Sequence, residues 1–280
     1  MFRVQTLSAA LLAGILAGPL AARPAAAAEI EMWRLDCGRI NVPDLNAFSD
    51  TFAYGGQSRV LTDGCYLIRH DDAYLLWDAG VPLAALGQPF AAEGLSPTLD
   101  RSLTDQLAEI GVAPEAIGLL GISHYHFDHV GQASAFPAAT LLIGAADLEA
   151  LRGEPPFGAA PELLAPWLDG SRPITPVTGD LDVFGDGTAT ILAAPGHTPG
   201  ETALLVRLEE TGPVLLSGDV VHFEAQVARR GVLGFNVDRA DSLASLDRLT
   251  GIAKSLGATL VIQHEPDHVS RLPAFPASAR

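Results

Sequence analysis

Positive charge is what this sequence has little of: 17 Lys and Arg stand against 33 Asp and Glu, a formal charge of −16 over 280 residues. Affinity for nucleic acid comes largely from Lys and Arg displacing counterions, so a chain this acidic makes a poor nucleic-acid binder. The same deficit argues against stable association with anionic membrane. Cysteine is scarce too. The two present, Cys37 and Cys65, have no Cys or His near them at zinc-finger spacing. No apolar run reaches the length of an ordinary membrane span. No repeat of roughly 20–50 residues marks a solenoid, and no linker divides residues 29–280. Disorder is excluded by composition, since 48% of the residues are hydrophobic and only 18% charged. These absences leave a globular chain, long enough for one large domain, facing a small neutral partner.

The first 28 residues read as a secretory signal. Met1 to Arg3 supplies a short positive start, Leu7 to Leu20 is almost wholly apolar, and small residues surround a cut site at Ala26-Ala27-Ala28. The segment has no Arg-Arg pair and no cysteine for lipid attachment. Its removal takes away Arg3 and Arg23 and moves the charge from −16 to −18. The expected location is the periplasm or the outside of the cell. Such a compartment permits a Cys37–Cys65 disulfide, and two buried thiols are the alternative.

Along residues 29–280, hydrophobic spacing predicts a strand over Glu31–Cys37, then a hairpin of Cys65–Ile68 and Tyr74–Trp77. A Pro- and Gly-spotted stretch from Val81 to Pro97 reads as a long loop. Leu103, Leu107 and Ile110 repeat at helical spacing before the stop at Gly111. Ile117–Ile122 and Thr140–Ile143 read as buried strands, and Ala145–Leu151 as a helix. Short strands parted by Gly-Asp turns fill Leu181–Leu216. A last helix is expected over Asp241–Leu256, ended by Gly257, and Ala258–Ile262 reads as the closing strand. Strands followed by mixed strands and helices, twice over, suit an α+β domain with two packed sheets and outer helices, an αββα sandwich.

The chemistry concentrates in Ser123-His124-Tyr125-His126-Phe127-Asp128-His129, where a strand empties into three imidazoles and a carboxylate. Imidazole suits zinc, and a carboxylate adds charge for a second cation. A structural role would require a separate partner for each of these polar groups in an apolar setting.

His124-x-His126-x-Asp128-His129 resembles the H-x-H-x-D-H signature of the metallo-β-lactamase superfamily. Further segments of that family's pattern follow in order. Pro195-Gly196-His197-Thr198-Pro199-Gly200 resembles its P-G-H-T-x-G, Gly218-Asp219 its strand-ending G-D, Val261-Ile262-Gln263-His264 its late histidine strand, and Asp78-Ala79-Gly80 its early D-x-G. The likeness runs from about Cys65 to His268. It implies a first metal on His124, His126 and His197, a second on Asp128, His129 and His264, and Asp219 between them. Two divalent ions are therefore expected, zinc first, with iron, manganese or cobalt also compatible. Such a pair lowers the pKa of a shared water towards neutrality, so no Ser or Cys nucleophile is needed. Ser123 and Ser217 are expected to be structural, with Ser217 placed to orient Asp219. His70 and His268 are expected on the surface.

Within the superfamily the sequence looks most like the N-acyl homoserine lactonases, on Phe127 inside the motif, Gly64-Cys65-Tyr66-Leu67, and Gly234-Phe235-Asn236. The resemblance implies lactone-ring opening; Asp128 and His222 are the candidate catalytic groups. It departs from that branch at His222, where several lactonases carry a tyrosine; an imidazole there can donate a proton to a departing alkoxide. Phe127, Phe223, Leu233 and Phe235 are candidates for an acyl-chain pocket. An aryl-ester or organophosphate hydrolase, a β-lactamase, or an iron-dependent sulfur dioxygenase are the competing readings. A homodimer is left open.

Overall fold

Ile30 to Val42 alternates well enough to form one long strand, β1, and it pairs along its whole length with β2 (Arg59–His70). The register shifts between Asp36 and Gly38, a bulge that leaves Cys37 out of the ladder; it forms a disulfide with Cys65, which pairs with Leu35. A tight turn with Asp71 at positive φ returns β2 into β3 (Ala73–Trp77), so the expected hairpin is present with longer arms. The computed structural model describes residues 1–2, 28–88, 90–91 and 94–280. Residues 3–27 of the expected signal segment lie outside the described residues.

The loop expected over Val81–Pro97 gives way to structure at its far end, where β4 (Ser96–Thr98) pairs with the outer edge of β1. From Leu103 the chain turns to βα alternation. Helix α1 (Leu103–Glu109) is capped by the Ser102 hydroxyl, which accepts from the Asp105 N–H. It leads to β5 (Ile117–Gly121), then α2 (Phe127–Val130), β6 (Thr140–Gly144), α3 (Ala145–Arg152), α4 (Ala165–Leu168) and β7 (Ile174–Val177). These strands join in the order β4-β1-β2-β3-β5-β6-β7, with β3, β5, β6 and β7 parallel.

A second sheet takes β8 (Leu181–Asp182), β9 (Ala189–Ala193), β10 (Thr202–Leu208), β11 (Gly212–Leu216) and β12 (Thr259–Val261), in the order β12-β11-β10-β9-β8. Two helices lie between β11 and β12: α5 (Glu224–Arg229), which the sequence did not announce, and α6 (Arg239–Leu256). The last, α7 (Pro266–Val269), follows β12. Tyr66, Ile68, Leu75 and Trp77 of the first sheet pack on Leu204, Val206, Val214 and Leu216 of the second. On the outer faces, Leu103, Leu107 and Leu148 cover the first sheet, while Leu246 and Leu249 of α6 cover the second. Helix, sheet, sheet, helix: the αββα sandwich is the observed architecture. Among the described residues, no helix is long and apolar enough to cross a membrane.

Strand direction decides where the site falls. β9 and β11 both run antiparallel to β10, and β12 runs parallel to β11. The C-terminal ends of β9, β11 and β12 therefore emerge on one side, where the end of β5 also opens.

Candidate metal centre

His124, His126 and Asp128-His129 follow β5, His197 follows β9, Asp219 follows β11, and His264 follows β12. All seven side chains are buried. Their donor atoms form two sets. In the first, His126 Nδ1 stands 2.9 Å from His124 Nε2 and 3.0 Å from His197 Nε2, while Asp219 Oδ2 lies 3.6 and 3.5 Å from those two Nε2 atoms. In the second, Asp219 Oδ1 lies 3.0 Å from His264 Nε2 and 3.4 Å from His129 Nε2. Asp128 Oδ2 completes it at 3.8 and 4.0 Å from the same nitrogens. Bonds of about 2.0–2.1 Å in a tetrahedron place neighbouring donors roughly 3.3 Å apart, and the observed spacings fall around that figure. His129 Nε2 and Asp219 Oδ1 are buried without a hydrogen-bond partner among the described residues. Groups so buried need a partner, and a cation supplies one to nitrogen and oxygen alike. The donor sets fit divalent metal ions.

The outward-facing ring nitrogens are held separately. His129 Nδ1 is 3.0 Å from Asp78 Oδ2, His197 Nδ1 is 2.8 Å from Asn236 Oδ1, and His264 Nδ1 is 2.6 Å from the Thr62 carbonyl oxygen. Ser123 Oγ sits 3.1 Å from both His124 Nδ1 and His129 Nδ1. Asp78 adopts a left-handed backbone (φ 61°), an unfavourable conformation for a non-glycine residue, at the end of β3. There its Oδ1 accepts the Ser123 N–H and its Oδ2 the Gln263 side-chain N–H. Gln263 in turn accepts the Gly218 N–H, so one amide ties three strand ends together. Contacts of this kind fix tautomer and ring orientation.

Electrostatics divide the two sets. Burial pushes His197 down to about 4, and burial with the neighbouring imidazoles pushes His124 and His126 well below their ordinary range. Burial also opposes charge on His264, but the Asp219 carboxylate outweighs it and raises His264 to about 9. His129 is raised against burial by Asp219 and Asp78. Asp219, though buried, is held low by His222, His264 and His129. The first set thus offers free lone pairs, while a cation entering the second would displace protons.

The other expected site residues are distributed unevenly. His222 lines the cavity beside the centre, with Nε2 3.0 Å from Asp219 Oδ2 and its ring stacked 5.1 Å from that of His264. Phe127 and Phe235 line the same cavity. Phe223 and Leu233 do not: both lie behind its wall, packed in the core with Leu45 and Leu61. Phe48, Leu61, Leu95 and Phe157, which the sequence left unmarked, take the wall positions. Ser217 spends its hydroxyl on the Gly218 carbonyl and leaves the Asp219 carboxylate alone. His268, expected on the surface, is buried, because Pro266 starts the short α7 that folds it back against Glu224. His70 is largely covered, paired with Asp186 at 2.7 Å and stacked on Phe184. Sequence reasoning missed Asn236, Gln263 and Glu201, whose roles depend on contacts between distant segments.

The sequence profile of the metallo-beta-lactamase superfamily matches residues 64–264. The chain is 30% identical over 217 residues to the N-acyl homoserine lactonase AttM of Rhizobium johnstonii, covering 72% of this chain and 81% of that one. It is 26% identical over 224 residues to the N-acyl homoserine lactonase AiiA of Bacillus thuringiensis subsp. kurstaki, covering 76% and 84%. A solved N-acyl homoserine lactone hydrolase, with N-hexanoyl-L-homoserine bound at its catalytic metal centre, superposes with a TM-score of 0.77 at 21% identity. That match covers 90% of this chain and 100% of the other, and it speaks for the fold alone. The chain belongs to the metallo-β-lactamase superfamily, on the branch where its curated relatives are N-acyl homoserine lactonases.

Proposed function

We propose that this protein hydrolyses the lactone ring of N-acyl homoserine lactones. His124, His126 and His197 would hold one divalent metal, zinc for preference; Asp128, His129 and His264 would hold a second, with Asp219 shared. When bound, such a pair activates a water and polarises an ester carbonyl. The observation that carries the substrate reading is the cavity. It holds about 120 Å³, its walls are Phe48, Leu61, Leu95, Phe127, Phe157 and Phe235, and its floor is the donor set. An acyl chain suits those walls, and an ester at its end then meets the floor.

His222 stands at the edge of that floor. Its backbone N–H donates to Gln226 Oε1 at 2.8 Å, and its ring meets Phe48 edge-on at 5.2 Å, so the imidazole is held from two sides. Nδ1 has no hydrogen-bond partner among the described residues, and the tautomer protonated on Nε2 donates to Asp219 Oδ2 at 3.0 Å, at the edge of the cavity. From there it can turn its hydrogen bond to the ring oxygen as the C–O bond breaks; of the two protons of the attacking water one ends on that oxygen and the other is released, so the product leaves as a carboxylate and a hydroxyl. Secretion to the periplasm or beyond belongs to the same reading, supported by the apolar Leu7–Leu20 run and by the Cys37–Cys65 disulfide, which suits an oxidising compartment.

The test is proton release by the purified protein on an acyl homoserine lactone, an aryl ester and a chromogenic cephalosporin, with metal quantified on the same sample. Fast lactone opening with about two metals per chain is the expected result. Asp128→Ala and His197→Ala are expected to lose both metal and activity. An inert lactone beside a fast aryl ester would move the protein to the esterases; untouched metal content in both variants would sink the ligand set.

A further inference from the structure

Glu201 is a buried acidic residue, 1% exposed, with no Lys or Arg partner among the described residues. Burial, with the neighbouring Asp219 carboxylate, pushes its pKa well above the ordinary carboxylate range, against the hydrogen bond it accepts from the Asp219 N–H. It lies between the His197 turn and the start of β10 and touches three of the segments that carry donor atoms. Its backbone closes the His197 turn: the Ala194 N–H donates to the Glu201 carbonyl at 2.8 Å. Its Oε1 accepts the backbone N–H of Asp219 at 2.7 Å. Its Oε2 stands 3.3 Å from His124 Nδ1 and has no hydrogen-bond partner among the described residues. The local chain is shaped for this approach. Gly218 takes a left-handed φ of 53°, and a Cβ there would meet Glu201 Oε1 at 2.3 Å, so only glycine admits the carboxylate.

We propose that Glu201 is a positioning residue for both halves of the metal centre, aiming the His124 ring through Nδ1 while fixing the backbone from which Asp219 reaches both donor sets. It mirrors Asp78, which does the same for His129 on the other side of Ser123. Ser123 Oγ also faces His124 Nδ1, but it is shared with His129 and carries no charge. Glu201 therefore acts beside the Ser123 hydrogen bond, as the acidic group 3.3 Å from His124 Nδ1 that makes this nitrogen a stronger donor once it is ionised. The inference rests on the ligand set proposed above and not on the identity of the lactone.

Glu201→Gln separates the two contacts. The amide oxygen still accepts the Asp219 N–H, whereas the amide N–H₂ faces His124 Nδ1 and cannot accept from it. The measurement is chelator competition for zinc and cobalt(II), with the visible spectrum of the cobalt form and the thermal unfolding of the metal-stripped protein. Glu201→Gln is expected to weaken metal binding about 10–100-fold and to shift the cobalt spectrum, while the stripped protein unfolds at or above the wild-type temperature. Ser123→Ala, which leaves Glu201 in place, is expected to lose less. A Glu201→Gln protein with wild-type affinity and spectrum would overturn the proposal, as would one whose only defect is a lower unfolding temperature. His197→Ala serves as control: if it too binds metal normally, the ligand set has failed; if it binds weakly while Glu201→Gln binds normally, Glu201 alone has.

Discussion

A histidine at 222 changes what the site can do for a leaving group. An alkoxide leaving a lactone is a strong base and needs a proton as the bond breaks; an aryl ester releases a phenolate that does not. Burial lowers the pKa of His222, with Asp219 pulling it back, so the proposed leaving-group role runs through the N–H of a neutral imidazole. His222→Phe should therefore reduce kcat on an acyl homoserine lactone by roughly 100-fold or more, and on an aryl ester by much less, at unchanged metal content. Equal losses on both substrates would remove the leaving-group role. The residues of this site were readable in the sequence where spacing alone brings donors together, as in His124 to His129. They were readable elsewhere where a motif marks a strand end, as at Asp78, His197, Asp219 and His264. Glu201, Gln263 and Asn236 were not, because each meets its partner across 18 to 185 residues and has no local pattern of its own. Phe223 and Leu233 were misassigned for a related reason: on a chain that winds around a cavity, a hydrophobic residue on the wall and one behind it look alike.

At the scale of elements, period and caps carried most of the reading. Of the apolar α6 face that the spacing predicts, Leu246 and Leu249 are buried, Leu243 and Ile252 half-buried, and Leu256 in the last turn exposed; the helix begins earlier than expected because the Asp238 carboxylate caps it, accepting the Asp241 N–H at 2.8 Å. β4 and α5 were invisible, being three and six residues long and set by the neighbours they pack on. The disulfide is the element-level feature with a measurable weight. It closes a loop with a sequence separation of 28 and joins β1 to β2 beside Gly80, whose Cβ, if present, would meet Cys37 Cβ at 2.6 Å. A closed loop of that length stabilises by roughly 3–4 kcal/mol through the unfolded chain. The Cys37→Ser/Cys65→Ser protein should accordingly unfold about 10 °C lower than the oxidised wild type. Coincident unfolding curves would mean that the β1–β2 pairing holds without it.

At the scale of the whole molecule, the question is how the two sheet halves stay in register at the end where the site lies. Gly144 and Gly200 approach so closely that a Cβ on Gly144 would meet the Gly200 carbonyl oxygen at 1.9 Å. Beside that contact, Asp147 of α3 reaches across to the His197 turn, accepting the Gly200 N–H at 2.6 Å and the Thr198 hydroxyl at 2.8 Å. Burial outweighs these hydrogen bonds and pushes Asp147 up from 3.8 to about 7. A carboxyl raised in the folded state remains protonated there over a pH range in which the unfolded chain has already ionised. Below pH 4 both states hold the proton and the group is neutral in its effect. Between pH 4 and 7 the unfolded state alone gains by ionising, so the fold loses stability as pH rises, and above pH 7 the loss levels off. The full span is on the order of 4 kcal/mol. Asp147→Asn keeps the shape and an acceptor without the titration. Its stability relative to wild type should rise by a few kcal/mol from pH 4 to pH 7, equivalent to on the order of 10 °C in Tm, and then stay flat. Unfolding followed in parallel on the two proteins across that window decides the matter. Parallel profiles would show that Asp147 ionises normally in the fold, with water reaching the contact between the halves.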